Sequence, residues 1–290
     1  MRILTYVTTQ EDEGRAVRSV VPRQFSLGTH AFRRLKARSA ILLDGAPVHA
    51  GCILRAGQTL QLCLDNGADA CPAPSSLIRY IDADMLIACK DAPLATLPGS
   101  HIRTDTLRER LAAELGEDAR TFSYHPVNRL DKGTSGLLCV ARHAHAQRLL
   151  ASQLHKGGFE REYLAVTDGI PAQESGRIDA PIARAGTGAR RMVRPDGRPA
   201  VTHYRVERVC GARALLRLRL ETGRTHQIRV HLAHIGCPVA GDYLYGRALA
   251  GLPDRFALHS ARIVLTQPIT GARLEFDEPL PAALCALLVP

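Results

Sequence analysis

The sequence predicts an α+β protein: a sizeable, mostly antiparallel mixed sheet with helices packed on it, preceded by a small basic unit. Three observations carry this expectation. "ALLRLRLETG" alternates, with Leu216, Leu218 and Leu220 on one side and Arg217, Arg219 and Glu221 on the other, the period of a half-buried strand. "MLIAC" and "LLCVA" are short, wholly apolar runs, the pattern of strands buried on both faces. "AHAQRLLASQLHKGG" has the length and composition of a helix and ends on Gly157 and Gly158. Strands and helices mix without a repeat and without a low-complexity tract.

Taken in order, the first unit spans residues 1–70. Thr29 can cap a short helix bearing Arg33, Arg34, Lys36 and Arg38. Ile41 to Leu43 then form a strand, Asp44-Gly45 a hairpin turn, and "GQTLQLCL" a further strand with Leu60, Leu62 and Leu64 on one face. A basic helix on a small hairpin sheet resembles the alpha-L RNA-binding module of a small-subunit ribosomal protein. "ACPAPSS" is small and Pro-rich, so residues 71–76 are the expected linker to a larger domain, 77–290. In that domain "EREYLAVTDG" alternates, Glu162, Leu164 and Val166 facing one way and Arg161, Tyr163 and Ala165 the other. "RAGTGARRMVRPDGRP" is too rich in glycine and proline for a long regular element. It is either a basic loop that closes on RNA or a solvated one.

Charge narrows the partners. The net charge is +10, and between Arg15 and Arg38 there are seven basic residues and no acidic one. Such clustering favours a polyanion, and nucleic acid is the expected partner. The N-terminus lacks the features of a secretory signal, and the apolar runs fall far short of the ~18 residues a membrane span needs. The eight cysteines are scattered with no CxxC pair, which argues against a zinc ribbon or a disulfide framework and fits a reducing cytoplasm. No partner membrane is expected, and a monomer is.

Three constellations compete for chemistry. Gly-Thr-Ser-Gly at 133–136 lacks the rest of a phosphate-binding loop. His226, His231 and His234, with Asp242 nearby, have no metal-ligand spacing, and structural or RNA-contacting histidines suit them better. The third joins distant segments. "NRLDKGTSGLLCVAR" sets Arg129 and Asp131 just before an apolar strand, at the mouth of the core. "ETGRTHQIRVHLAHIGCP" runs from a strand end through a turn at Gly223 into a helix, with Thr225 as cap and Gly236 and Pro238 as the stop. Ile228, Leu232 and Ile235 form its apolar stripe and Arg229 sits at the edge, able to reach a partly buried carboxylate such as Asp131. An Asp–Arg pair favours the ionised carboxylate, though spacing alone does not separate a functional pair from a structural one.

These segments, with "EYLAV", "GRPAVTHYRV", "GDYLYG" and "FALHSARIVLTQPITGARLEF", occur in an order that resembles the RluA-type family of ribosomal large-subunit pseudouridine synthases, over roughly residues 77–280. The resemblance implies a pseudouridine-synthase fold carrying an N-terminal alpha-L module and an isomerase that needs no cofactor and no metal. It implies Asp131 as the catalytic aspartate, Arg229 as its basic partner and Tyr163 as the tyrosine against the flipped base. It also implies Arg129 as the arginine that enters the stack the uridine leaves, and Leu258 as an apolar wall of the pocket. Thr134, Arg224 and His226 lie within the same matched motifs and are expected to contact substrate. Where the family most often has histidine, this chain has Asn128. The expected partner is ribosomal RNA, with transfer RNA as the alternative. A non-catalytic RNA-binding or ribosome-assembly protein should lack Asp131 or Tyr163, and a deaminase should carry H-x-E with P-C-x-x-C; neither description fits. Core placement of Asp131 then has a purpose, since chemistry on an extruded base needs a preorganised floor.

Overall fold

A computed structural model describes residues 2–25, 27, 29–64, 75–99 and 104–289. The N-terminal unit comprises β1 (Arg2–Val7), α1 (Val17–Gln24), α2 (Thr29–Ala37), β2 (Ile41–Leu43), β3 (Ala46–Pro47) and β4 (Thr59–Leu64). Its antiparallel sheet has the order β1-β4-β2-β3. Leu60, Leu62 and Leu64 are buried while Thr59, Gln61 and Cys63 are not, as the alternation requires. Asp44 and Gly45 both have positive φ, +50° and +84°, the backbone of a two-residue turn whose twist matches the strands it joins. Helix α1 was not expected. It turns Val17, Val20 and Val21 onto the same small core as Leu35, Leu54 and Leu60. Thr29 is the first residue of α2 rather than the residue before it. Arg15, Arg18, Arg23, Arg33, Lys36 and Arg38 are all exposed. The expected boundary at residue 70 and most of the linker lie outside the described residues.

The larger unit contains β5 (Ile78–Ile81), β6 (Met85–Lys90), α3 (Leu107–Glu114), β7 (His125–Pro126), β8 (Ser135–Ala141), α4 (Ala144–Lys156), β9 (Glu160–Asp168) and β10 (Ser175–Asp179). It continues with β11 (Ile182–Arg184), β12 (Arg191–Val193), β13 (Val201–Cys210), β14 (Arg213–Leu220), α5 (Gln227–His234), β15 (Leu258–Thr266), β16 (Arg273–Asp277) and α6 (Ala282–Cys285). The main sheet runs β10-β13-β14-β9-β15-β8-β6-β5, with β16 on β15 and β7 on β8. Every neighbouring pair in it is antiparallel except β8 with β15.

That parallel joint sits at the centre. All seven residues of β8 are buried, Leu138 and Val140 in one core and Leu137, Cys139 and Ala141 in another on the opposite face. Strand β9 departs from simple alternation: Tyr163 to Thr167 are buried throughout, because β14 and β15 flank it and both sheet faces are covered. At the joint Gly136 has φ +106°, and a Cβ there would lie 2.2 Å from the Ser260 carbonyl oxygen. Helix α4 begins where the His143 ring accepts from the Ala146 amide and ends on left-handed Gly157. The glycine-rich segment after β10 is a two-stranded ribbon, β11 with β12. No helix among the described residues is long and apolar enough to cross a membrane. The described cysteines are free thiols.

Candidate active site

The segment before β8 is pinned at nearly every residue. Asn128 Oδ1 accepts from the Cys139 amide at 3.0 Å. Thr96 Oγ1 donates to the Leu130 carbonyl at 2.8 Å. The Asp131 carbonyl takes the Thr134 amide at 3.0 Å, and that of Lys132 takes the Leu94 amide at 3.1 Å. Lys90, wholly buried at the end of β6, donates its ammonium to the carbonyls of Leu94 (2.8 Å), Asp91 (2.9 Å) and Lys132 (3.3 Å). Burial pulls the Lys90 pKa down to about 7, against the pull of the Asp131 charge. The carboxylate of Asp131 is therefore presented by a backbone with little freedom to move.

It faces Arg229 of α5, whose terminal nitrogen lies 3.0 Å from Asp131 Oδ2. The other side of the guanidinium forms a fork with Asp242, at 2.6 and 2.9 Å. Side-chain exposures are 29% for Asp131, 4% for Arg229 and 0% for Asp242, so only Asp131 opens to solvent. Burial works against the Arg229 cation, but the bonds and charges of Asp242 and Asp131 outweigh it and hold its pKa above the ordinary value. Phe256 covers one face of the guanidinium, 4.1 Å from its carbon, and Tyr245 lies 5.0 Å away. Gly133 lets Phe256 close in: a Cβ there would meet the ring at 2.6 Å.

Asp131 lies in a cleft of about 820 Å³ whose walls include all eight expected site residues. Tyr163 and Leu258, both buried, form adjoining walls from β9 and β15. Burial pushes the Tyr163 phenol up, which keeps its hydroxyl protonated. Arg129 is exposed at the rim, and Thr134 is buried in the floor, where its amide closes the Asp131 turn. Arg224 is held to the Pro199 carbonyl at 3.0 Å. His226 Nε2 is 3.9 Å from Asp131 Oδ2. Two buried donors on the cleft wall, Asn128 Nδ2 and Arg161 Nε, have no partner among the described residues.

Thr225 does not cap α5. The helix begins after His226, which is itself left-handed (φ +59°) and offers no side-chain cap. The turn is held instead by Gln227, whose Oε1 accepts from Thr222 Oγ1 (2.8 Å) and the Arg224 amide (2.9 Å). Its Nε2 donates to the Val201 carbonyl (2.9 Å) and to Thr202 Oγ1 (3.0 Å). His231 is a satisfied core histidine, bonded to Thr202 Oγ1 and the Ala180 carbonyl, each at 2.9 Å. Among the described residues no cluster of histidine, cysteine or carboxylate could hold a metal ion. Tyr245, Phe256 and Lys90 escaped sequence reasoning, and Asp242 was weighed only as a metal ligand. The signal for Asp242 was its place in the matched "GDYLYG" segment, where a carboxylate near three histidines suggests a metal ligand before it suggests an arginine partner.

Residues 84–234, just over half of the chain, match the family described as RNA pseudouridylate synthase. Ribosomal large subunit pseudouridine synthase D of Xanthomonas campestris is 39% identical over 264 residues, which cover 85% of this chain and 80% of that protein. An uncharacterised RNA pseudouridine synthase of Chloroflexus aurantiacus is 38% identical over 268 residues, covering 88% and 83%. The solved structure of human RNA pseudouridylate synthase domain containing 4 shares the fold, with a TM-score of 0.58 at 23% identity over 72% of this chain and 90% of that one. By the family match and by these identities the chain belongs to the RluA-type RNA pseudouridine synthases, which are isomerases.

Proposed function

We propose that this enzyme converts uridines of large-subunit ribosomal RNA into pseudouridine, with Asp131 as the carboxylate that starts the reaction. One observation carries the reading: Asp131 is the only solvent-open member of the Asp131–Arg229–Asp242 chain, and it sits at the floor of the cleft on a pinned backbone. In the isomerisation the bond between ribose C1′ and uracil N1 breaks, the ring turns, and C5 bonds to C1′. The hydrogen on C5 leaves as a proton while N1 gains one, so composition and oxidation state are unchanged.

The base must leave its stack to meet Asp131. Tyr163 and Leu258 offer it flat and apolar walls, and the protonated Tyr163 hydroxyl is available for proton movement. Arg129, exposed at the rim, supports the vacated stack. Thr134, Arg224 and His226 line the approach, and the unpartnered Asn128 Nδ2 and Arg161 Nε suit acceptor oxygens of RNA. The exposed basic face of α1 and α2 adds affinity through phosphates, as an RNA-binding module would. Relatives named for the ribosomal large subunit favour that RNA over transfer RNA. Free thiols suit a cytoplasmic setting, and we take the working form as a monomer.

Two measurements test the reading. Pseudouridines mapped in total RNA, with and without the gene, should differ at one or more large-subunit positions; differences confined to transfer RNA would move the substrate. Asp131→Asn should bind RNA normally yet give no detectable pseudouridine in a single-turnover assay. Appreciable product would remove Asp131 from its role.

A further inference from the structure

One side chain connects the basic ribbon β11–β12 to the cleft. Tyr245 Oη accepts from the Arg191 backbone amide at 2.8 Å and lies 2.8 Å from His226 Nδ1. Its ring meets that of His226 edge-on, with centroids 5.7 Å apart, and lies 5.9 Å from the Arg190 guanidinium carbon. A phenol has one hydrogen. Because the Arg191 amide already donates into the oxygen, that hydrogen is free for His226 Nδ1. When the phenol donates to Nδ1, that nitrogen is bare and the neutral ring carries its own hydrogen on Nε2. Nε2 is the atom 3.9 Å from Asp131 Oδ2, the oxygen that Arg229 also reaches.

The backbone supports the same arrangement. A non-glycine residue in the left-handed region is strained, and such positions persist where the surroundings over-determine them. At His226 the four bonds of Gln227 fix the adjoining turn. At 3.9 Å the Nε2–H is poised rather than bonded, a separation that substrate binding can close.

We propose that Tyr245 is a positioning residue for Asp131: it fixes His226 as the Nε2–H tautomer, a second donor beside Arg229, and ties that donor to the basic ribbon. The proposal rests on the reading of Asp131 as the reacting carboxylate. The groups facing His226 are Asp131 from the loop before β8, Arg229 from α5, Arg191 from β12, and Asp242 and Tyr245 from the segment after α5. Burial, against the pull of Asp131, keeps the His226 pKa below its usual value, so the ring is neutral near pH 7. Burial also pushes the Tyr245 phenol up, which preserves its hydrogen. Without the phenol the neutral ring loses a donor on Nδ1, and its pKa must rise.

The test is nitrogen NMR of the His226 side chain in the full-length protein, wild type against Tyr245→Phe, beside single-turnover rates across pH. Wild type should show a bare, pyridine-type Nδ1 and a protonated Nε2. Tyr245→Phe should mix the tautomers, raise the His226 pKa, move the acid limb of the rate profile to higher pH and slow turnover about 10- to 100-fold, with RNA affinity little changed. The nitrogen shifts need no turnover, so they answer separately from whether Asp131 starts the reaction. A protonated Nδ1 in wild type overturns the proposal. So does a Tyr245→Phe enzyme with an unchanged tautomer or an unchanged pH profile.

Discussion

Arg229 works as a bracket. Its fork on Asp242 leaves one nitrogen for Asp131, so the direction of the whole guanidinium is set from behind. Replacing Asp242 by Asn keeps the volume but leaves a buried cation without its main partner. Breaking a buried pair in this way costs about 3–5 kcal/mol. Asp242→Asn should therefore lower the urea midpoint and also slow pseudouridine formation steeply; normal turnover in a stable Asp242→Asn protein would refute the bracket. At this scale Asp131 and Arg229 were legible, because a charge at the edge of an apolar pattern stands out in the chain. Asp242 and Tyr245 were not. They lie in an irregular segment with no period to read, and the Tyr245 bond to Arg191 spans 54 residues.

At the scale of elements, the apolar runs identified β6 and β8, and the two-residue alternation identified β4 and β14. Helix α1 was missed because it is short, carries Pro22 and buries only three valines. The start of α5 was misread since a threonine before a helix usually caps it, whereas here the Gln227 side chain ties the turn from inside the helix. The joint of β8 and β15 offers a direct check. Gly136 combines a left-handed φ with a close backbone approach that leaves no room for a methyl group. Gly136→Ala should cost about 3 kcal/mol or more and depress soluble yield, as read by chemical denaturation. A near-neutral result would mean that the two strands separate more easily than their register implies.

For the whole molecule, the α+β class followed from local patterns, while the strand order did not, because pairing across the sheet leaves no trace in periodicity. The charge distribution was legible, and it supports a division of labour that truncation can test. A fragment of residues 77–290 should bind long structured RNA more weakly and with a shallower salt dependence, its slope reduced by about 0.7–0.9 for every phosphate that the basic unit neutralises, yet keep some turnover at saturating RNA. A folded fragment with no turnover would contradict this. The parallel joint has a kinetic consequence as well. Ser135 and His259 are 124 residues apart in the chain, and closing a loop of that length costs about 4 kcal/mol of chain entropy, whereas the β13–β14 hairpin closes over a few residues. Asp131 precedes one strand of that joint and Arg229 lies on the helix before the other, 98 residues further along the chain. In refolding from urea, hairpin formation should restore much of the far-ultraviolet dichroism first, and the capacity to make pseudouridine should return in a later, slower phase. Simultaneous recovery of the two signals would show that the long loop closes as early as the hairpins.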